Sequence, residues 1–266
     1  LGIDLSRGVL SNWMLKGSEW LEPIKELMIK RLLAQGILHA DETTLQVLKE
    51  PGRAAESKSY LWLYRTGSQG PPIVLYDYQE TREGQHPRDF LKGFKGYLQT
   101  DGYAGYHNMP DVILCGCWAH LRRKFDEALK GLPARKRATG SRAQEAINQI
   151  RQLFDIERQL KRCTPEERLT LRNQRSRKIA ENFHEWLLEI RPGILPKSLL
   201  GTAVTYGLNQ WENLVRFLED GRVELDNNRA ERSIKPFVIG RKNWLFANTP
   251  KGARASATIY SIIETA

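Results

Sequence analysis

Three carboxylates occupy positions where a metal-dependent reaction would need them. Asp41 lies in a strand-like run, Asp101 ends a second such run, and Glu231 lies in a helical segment near the end of the chain. A carboxylate buried among apolar strand residues is costly unless a metal ion, an arginine or water compensates its charge. These three residues are therefore the candidate ligand set.

Asp41 has two interpretations. His39 and Thr43 share its face of the strand by the two-residue period, so the three side chains are expected to point outward together. They could line a functional cleft. Alternatively, Asp41 could be a solvent-facing residue of an edge strand.

Asp101 and Glu231 also have ordinary structural interpretations. Asp101 precedes Gly102, and Asp-Gly is a common turn pair, although ends of strands in open α/β sheets also present ligand-binding groups. Glu231 could be an exposed helical residue paired with Arg232 or Lys235. Neither Asp101 nor Glu231 establishes a metal site by itself.

As a set, the three carboxylates predict a metal site. Oxygen-only ligands suit magnesium or manganese. Two such ions, roughly 3.5 to 4 Å apart, can activate an attacking oxygen and neutralise a leaving oxygen during in-line displacement at phosphorus. The set therefore predicts cutting or joining of DNA strands.

Apolar periodicity predicts the elements that carry these residues. A first helix is predicted over residues 5–33, with Ser6 as its cap. Extended runs at 37–48, 60–64 and 73–78 predict a three-stranded meander, which places Asp41 on its first strand.

The later elements alternate before the pattern becomes helical. A short helix is predicted over 87–94, followed by strands over 97–100 and 112–118 and by a helix that begins near His120. Residues 126–218 are predicted to be helical and charged.

The last candidate ligand is expected on a short helix. Asp226 or Asn227 can cap this helix, which carries Glu231, and Pro236 is expected to limit it.

The charge of the chain favours a polyanionic partner. Lys and Arg outnumber Asp and Glu by 41 to 31, which gives the 266 residues a formal charge of +10. Nucleic acid is the first expectation. Charge alone leaves a merely soluble basic protein as the alternative.

Two basic clusters accompany the carboxylates in the sequence. One follows the last predicted strand and the other surrounds Glu231, so both could grip phosphates beside the metal ions. Taken singly, each residue could instead be a solvated surface charge. The DNA-binding candidates are Arg122, Arg123, Lys124, Arg229, Arg232, Lys235, Arg241 and Lys242.

Several further residues have an auxiliary or structural interpretation. Cys115, Cys117 and His120 resemble part of a zinc site, but a fourth ligand is lacking nearby, and core packing is preferred for the cysteines. His120 could instead reach the scissile phosphate or order a carboxylate. Asp226 is preferred as a helix cap over an auxiliary carboxylate. Three other acidic residues are interpreted either as unrelated to the site or as spare metal ligands: Glu42, Asp77 and Glu224.

Cysteine usage and hydropathy indicate the compartment. The three cysteines do not suggest a disulfide framework, and neither a membrane-spanning stretch nor a signal peptide is visible. We therefore expect a cytoplasmic protein. The chain begins at Leu1 without an initiator methionine, so we expect it to be a fragment of a longer polypeptide.

Five segments form specific motifs along the chain. They are HADETT at 39–44, YLQTDGYAGY at 97–106, GCWAHLRRKF at 116–125, DNNRAER at 226–232 and GRKNWLF at 240–246. With these motifs in this order, the chain resembles the DDE transposases of the insertion sequence 66 family along nearly its whole length.

The resemblance implies an α/β fold with a ribonuclease H-like mixed sheet and a large all-helical insertion before the last catalytic helix. It implies that Asp41, Asp101 and Glu231 are the catalytic residues and hold two Mg²⁺ or Mn²⁺ ions. The implied reaction is hydrolysis at the transposon ends, followed by transfer of the 3′-hydroxyl strand into target DNA.

The resemblance also implies partners and a division of the chain. The partners are double-stranded DNA, further copies of the protein on that DNA, and accessory proteins of the element, without a membrane. The expected parts are an N-terminal helical remnant (1–35), a first part of the core (36–125), the insertion (126–220) and a closing part (221–266). A DNA-binding region that relatives carry upstream is represented here only by its trailing edge.

Two other functions fit the same residues. A nuclease or resolvase of the same fold would cut DNA without joining it. A catalytically inactive relic would bind DNA only, although the intact set of Asp41, Asp101 and Glu231 argues against it.

Overall fold

The first element is a long helix, α1 (Arg7–Leu33), in a computed structural model that describes residues 4–133 and 140–266. The Ser6 side chain accepts a hydrogen bond from the backbone N–H of Val9, which confirms the predicted cap. Pro23 lies inside this helix. The predicted helix over 5–33 is thus confirmed to within two residues.

Five strands form one mixed sheet in the order β3-β2-β1-β4-β5. They are β1 (Ile37–Gln46), β2 (Lys58–Thr66), β3 (Val74–Gln79), β4 (Gly96–Gln99) and β5 (Val112–Cys115). The first three pair antiparallel, which confirms the predicted meander.

The fourth and fifth strands run in the same direction. The N–H of Gly96 donates to the carbonyl of Asp111, and the N–H of Thr100 donates to that of Cys115. The partners advance together along both strands, as they do in a parallel pair. β5 is shorter than predicted, because Trp118 already begins the next helix.

β1 is the third of the five strands, so the interpretation of Asp41 as an edge-strand residue is wrong. The expectation that His39 points outward is also wrong, since its side chain is fully buried. A central strand has neighbours on both sides, and helices cover its faces.

One compact unit comprises residues 103–113, 229–266 and the described part of 1–98. Its core lies between the meander and two C-terminal helices, α8 (Asn228–Trp244) and α9 (Pro250–Thr265). The backbone N–H of Tyr76 donates to the Ser261 hydroxyl at 2.8 Å, which ties β3 to α9.

The opposite face of the meander is covered by short elements. The helix α2 (Gln85–Phe90) places the Phe90 ring against Tyr64 of β2, with 3.9 Å between the ring centroids. Tyr106 meets Trp62 edge to face at 5.6 Å. α2 lies two to four residues earlier than the predicted 87–94.

The second compact unit comprises residues 99–102 and 114–228. Its helices are α3 (Trp118–Lys130), α4 (Arg142–Gln159), α5 (Pro165–Ile190), α6 (Leu199–Asn209) and α7 (Trp211–Val215). They confirm the predicted helical character of 126–218, of which residues 134–139 lie outside the described part.

A buried arginine organises this helical unit. Arg172 on α5 pairs with Glu157 on α4 at 2.7 Å. Its guanidinium also donates to the carbonyls of Phe217 and Val223, both at 2.9 Å. The charge is thus paired and hydrogen-bonded, which is the condition for burying it.

α8 continues through Pro236, so the prediction that this proline limits the helix is wrong. A proline inside a helix removes one backbone hydrogen bond and crowds the preceding turn. Burial of Ala230, Ile234 and Phe237 against the meander outweighs that cost here. The helix therefore reaches Trp244, whose ring meets Phe237 at 5.2 Å.

Candidate functional site

Asp41 lies in the middle of β1, half-buried and directly opposite Leu63 of β2. Its Oδ1 accepts a hydrogen bond of 2.9 Å from the backbone N–H of Glu42. Because side chains alternate along a strand, Asp41 shares its face with His39 and Thr43. Leu63 belongs to the core that α8 covers, so Asp41 lies on the helix-covered face.

Two arginines tie α8 to this face of the sheet. Arg65, which pairs with His39 in the strand register, donates from Nη1 to the Ser233 hydroxyl at 2.7 Å. At the other end of α8, Arg241 donates to the Thr43 hydroxyl at 3.1 Å. α8 therefore runs in the same direction as β1, and Asp41 lies between the two attachments.

Glu231 is half-buried in the first turn of α8, between the fully buried Ala230 and the Ser233 attachment. The amino end of a helix carries partial positive charge, which favours an ionised carboxylate there. The structure thus places Asp41 and Glu231 at the same sheet–helix boundary, within one compact unit.

Asp101 follows β4 in a bend and belongs to the second compact unit. Its carbonyl accepts a hydrogen bond of 2.7 Å from the Tyr206 hydroxyl on α6. Gly102 has a φ of +92°, which a side chain rarely adopts, so the predicted turn is present. The turn uses the main chain, while the half-buried side chain remains a ligand candidate.

Glu42 is a structural residue on the opposite face of β1. Its side chain is 3% exposed and accepts hydrogen bonds from Arg82 Nε at 2.9 Å and from the Tyr106 hydroxyl at 2.8 Å. The Arg82 guanidinium in turn lies 3.8 Å above the Tyr103 ring. Adjacent acidic residues in one motif thus face different layers, as the alternation of a strand requires.

Asp77 and Asp226 have local structural roles. Asp77 on β3 lies opposite Trp62, and Trp62 lies opposite Glu42, so Asp77 shares the face of Glu42. Burial raises the pKa of the Asp77 carboxyl. Asp226 accepts from the backbone N–H of Asn228, the first residue of α8, at 2.9 Å, which supports its interpretation as a cap.

The first basic cluster lies on α3. Arg122 and Arg123 line an open cavity of about 420 Å³ together with Asp126 and Asp226. The His120 ring lies 3.2 Å from the guanidinium of Arg123. Lys124, also in this cluster, lies over the Tyr206 ring at 4.8 Å.

The second basic cluster lies on α8 and has two parts. Arg232, Lys235 and Lys242 are exposed, as a phosphate-binding surface requires. Arg229 and Arg241 are half-buried, and Arg241 also donates to the carbonyl of Thr44.

The cysteines pack as predicted. Cys115 is buried at the end of β5, and Cys117 immediately precedes α3. The Cys117 sulfur accepts a hydrogen bond of 3.2 Å from the backbone N–H of Asn227, and burial raises its pKa to about 12.

Two residues of this region were missed from the sequence. Arg65 is the next-to-last residue of the largely apolar β2, and a charge in that position needs a buried partner, a signal that can be read from the sequence. Tyr206 carries no such signal, because its contact with Asp101 joins residues 105 positions apart.

A mixed sheet covered by helices, with a half-buried aspartate on its central strand, defines an α/β protein with a candidate acidic site. The chain belongs to the IS66 family of transposases, whose family model matches residues 1–255. Among the described residues, the helices are too short or too polar to cross a membrane.

Two curated relatives come from Sinorhizobium fredii. The uncharacterized protein y4hP is 33% identical, over 99% of this chain and 50% of that protein. The uncharacterized protein y4qI is 34% identical, over 99% of this chain and 50% of that protein. The chain thus spans about half the length of these relatives. No solved structure matches it.

Proposed function

We propose that this chain is the catalytic part of a DDE transposase with a ribonuclease H-like core. Asp41, Asp101 and Glu231 hold two divalent ions, Mg²⁺ or Mn²⁺, and the protein acts on double-stranded DNA at the ends of its element. Membership of the IS66 family supports the transposase role. The assignment of the three residues is our inference.

One observation carries this proposal most directly. Asp41 lies on the central strand, on the face covered by the helix that bears Glu231. Residues 190 positions apart are thereby held at one layer boundary by the Arg65–Ser233 and Arg241–Thr43 contacts. A surface carboxylate without a function would not need this rigid support.

The donor set fits the proposed metal ions. All three residues offer carboxylate oxygens and are half-buried, which suits hard divalent cations. When bound, a pair of such ions would activate the attacking oxygen and neutralise the charge on the leaving oxygen.

The protein side chains have separate tasks in this scheme. Asp41, Asp101 and Glu231 would hold the ions, and Glu231 would also orient the attacking oxygen. The exposed Arg232 and Lys235 on α8 bind the flanking phosphates by charge.

The reaction has two steps, and in each step one bond to phosphorus forms while another breaks. In the first, a water oxygen forms a bond to the phosphorus at the end of the element, and the bond from phosphorus to the 3′ oxygen breaks. That oxygen leaves and takes up a proton. In the second step, the freed 3′-hydroxyl loses its proton and attacks a phosphorus of target DNA, releasing a target 3′-hydroxyl. We also propose that further copies of the protein, and accessory proteins of the element, act with it on the DNA.

Single substitutions of the carboxylates test the assignment. Asp41→Asn, Asp101→Asn and Glu231→Gln should each abolish Mg²⁺-dependent cleavage of an element-end duplex while gel-shift binding persists. Asp155→Asn is the matched control, because Asp155 lies on the surface of α4 in an ion pair with Arg158. Retained cleavage in any of the three variants would reject that residue. A joined product in the same assay separates a transposase from a nuclease.

A further inference from the structure

The helix α1 has two different faces, and only one of them is covered by the residues that the structure describes. On the inner face, Lys25 donates to the Thr258 hydroxyl of α9 at 3.1 Å, and Thr258 donates to Glu22 at 2.8 Å. Ser18, Met28 and Leu32 are buried on this side. The helix is therefore docked on α9, and its orientation is fixed.

The outer face of α1 is apolar and exposed. The exposed fractions are 46% for Leu10, 59% for Trp13, 79% for Trp20, 51% for Ile24 and 50% for Leu27. Together with Gly17, these residues are spaced alternately by three and four positions. That spacing is the a and d pattern of a helix that packs lengthwise against another helix. We call these six residues the α1 seam.

The α1 seam is large enough for a specific interface. With about 200 Å² for a whole tryptophan, the exposed parts of the two tryptophans offer roughly 280 Å² on each chain. The aliphatic seam residues and Met14 raise this to roughly 500 Å² per chain, or about 1,000 Å² for two chains, near the lower limit of specific interfaces. Exposed apolar patches of this size mark interaction sites.

Gly17 provides an independent indication. A side chain added at Gly17 would meet nothing within 4 Å among residues 4–133 and 140–266. Glycine inside a helix is destabilising relative to alanine, and the packing of the described part of the chain offers no reason for it. A partner that approaches closely at this point does explain it.

We propose that a second copy of this chain packs antiparallel along the α1 seam. Positions that face one another then add to 37, and the two-fold axis passes between Ser18 and Glu19. The layers pair Leu10 with the partner's Leu27, Trp13 with the partner's Ile24, and Gly17 with the partner's Trp20. Each large ring therefore meets a smaller residue, as close packing requires.

The antiparallel register is also better than the parallel one. A parallel pair would place Trp13 and Trp20 against their own copies and Gly17 against glycine, which crowds two layers and leaves a void between them. Positions that flank the α1 seam on the side of Lys16 add to 39 instead, so Lys16 lies beside the partner's Pro23 and like charges are kept apart. Beyond the last layers, Arg31 would face the partner's Ser6, where the apolar seam ends.

The same surface patch serves both copies, as a two-fold symmetric interface demands. This self-complementarity is the reason for choosing a second copy over a different partner. The proposal is independent of the assignment of the catalytic carboxylates, so cleavage-deficient variants should keep the interface.

The mass of the chain in solution tests the interface. We expect light scattering at high micromolar concentration to give twice 30.6 kDa. Trp20→Glu should raise the dissociation constant by about 100-fold or more, because central aromatic residues dominate such interfaces. Asn12→Glu is the control, since Asn12 is exposed on α1 but lies outside the α1 seam. Circular dichroism checks that both variants stay folded. A monomeric wild type would overturn the proposal.

A second variant distinguishes specific packing from nonspecific hydrophobic association. Gly17→Trp adds apolar area, so a merely adhesive patch would associate more strongly. In the proposed pair it collides with the partner's Trp20, and the dissociation constant should rise at least about tenfold. Tighter association of this variant would overturn the paired layers.

Cysteine cross-linking tests the register. In a Cys163→Ser background, chains with Leu10→Cys should form a disulfide with chains carrying Leu27→Cys. Neither variant should cross-link to itself, because positions 10 and 27 lie about 25 Å apart along the helix. Self-cross-linking of Leu10→Cys would overturn the antiparallel arrangement.

Discussion

Arg65 donates a hydrogen bond of 2.7 Å to the hydroxyl of Ser233, which joins a strand and a helix 168 positions apart in the chain. Arg65 is also the register partner of His39, two residues before Asp41 on β1. The contact therefore fixes the start of α8 beside the strand that carries the first candidate ligand. We infer that Arg65 positions the site without binding the substrate.

Removal of this contact should loosen the site. We expect Arg65→Ala to destabilise the fold by about 1.5 to 3 kcal/mol, because it deletes hydrogen bonds from a charged donor. Ser233→Ala should cost less, and the double variant should cost less than the sum of the two. Urea denaturation measures these values, with Arg175→Ala on the exposed surface of α5 as control. Strict additivity would contradict a direct coupling.

The adjacent residues Asp41 and Glu42 should respond in opposite ways to loss of charge. Glu42→Gln weakens its pairing with Arg82 and should lower stability by about 1 to 3 kcal/mol. Asp41→Asn should leave stability within about 0.5 kcal/mol or raise it, and should remove cleavage. Thermal unfolding and cleavage assays on both variants check this contrast. A large loss of stability in Asp41→Asn would show that Asp41 is a structural residue.

Arg172 and Glu157 form a buried pair whose halves depend on each other. Glu157→Gln leaves a buried guanidinium without its carboxylate, so we expect a loss of about 3 to 5 kcal/mol. Arg158→Gln on the surface of α4 should cost about 1 kcal/mol or less. Equal losses in the two variants, measured by urea denaturation, would contradict the organising role of Arg172.

Asp77 should make stability depend on pH. Burial raises the pKa of its carboxyl in the folded protein. The folded state therefore holds this proton more tightly than the unfolded state, whose pKa is about 3.9. The contribution of Asp77 is most favourable below that value and is lost as pH rises through the folded pKa.

Asp77→Asn should accordingly raise stability at neutral pH and lose this advantage below about pH 4. The Gln79 amide, which donates to Asp77 at 2.8 Å, can still donate to the asparagine oxygen. Urea denaturation at several pH values measures the difference. A variant that is less stable than wild type at pH 7 would contradict the assignment.

Local patterns predicted much of this fold. The strand carrying Asp41 and the turn after β4 follow from alternation and from the Asp101-Gly102 pair. The cap by Ser6 follows from residue type alone. Each of these features depends on residues that are neighbours in the sequence, so one sequence is enough to predict them.

The errors arose where distant contacts decide the outcome. Pro236 was expected to limit α8, but the burial of Phe237 against the meander carries the helix past it. The position of β1 in the middle of the sheet depends on the pairing with β4, which a local pattern does not reveal. For the same reason, the support of the candidate site by Arg65 was not anticipated.

Metal-specific rescue tests the central claim most directly. Thiolate ligands bind soft or borderline cations better than Mg²⁺. Cleavage of an element-end duplex by Asp41→Cys and Glu231→Cys should therefore be lost in Mg²⁺ and partly restored in Mn²⁺, while Asp155→Cys should cleave in both. Equal activity of the Asp41 and Glu231 variants and the wild type in Mg²⁺ would contradict their role as metal ligands.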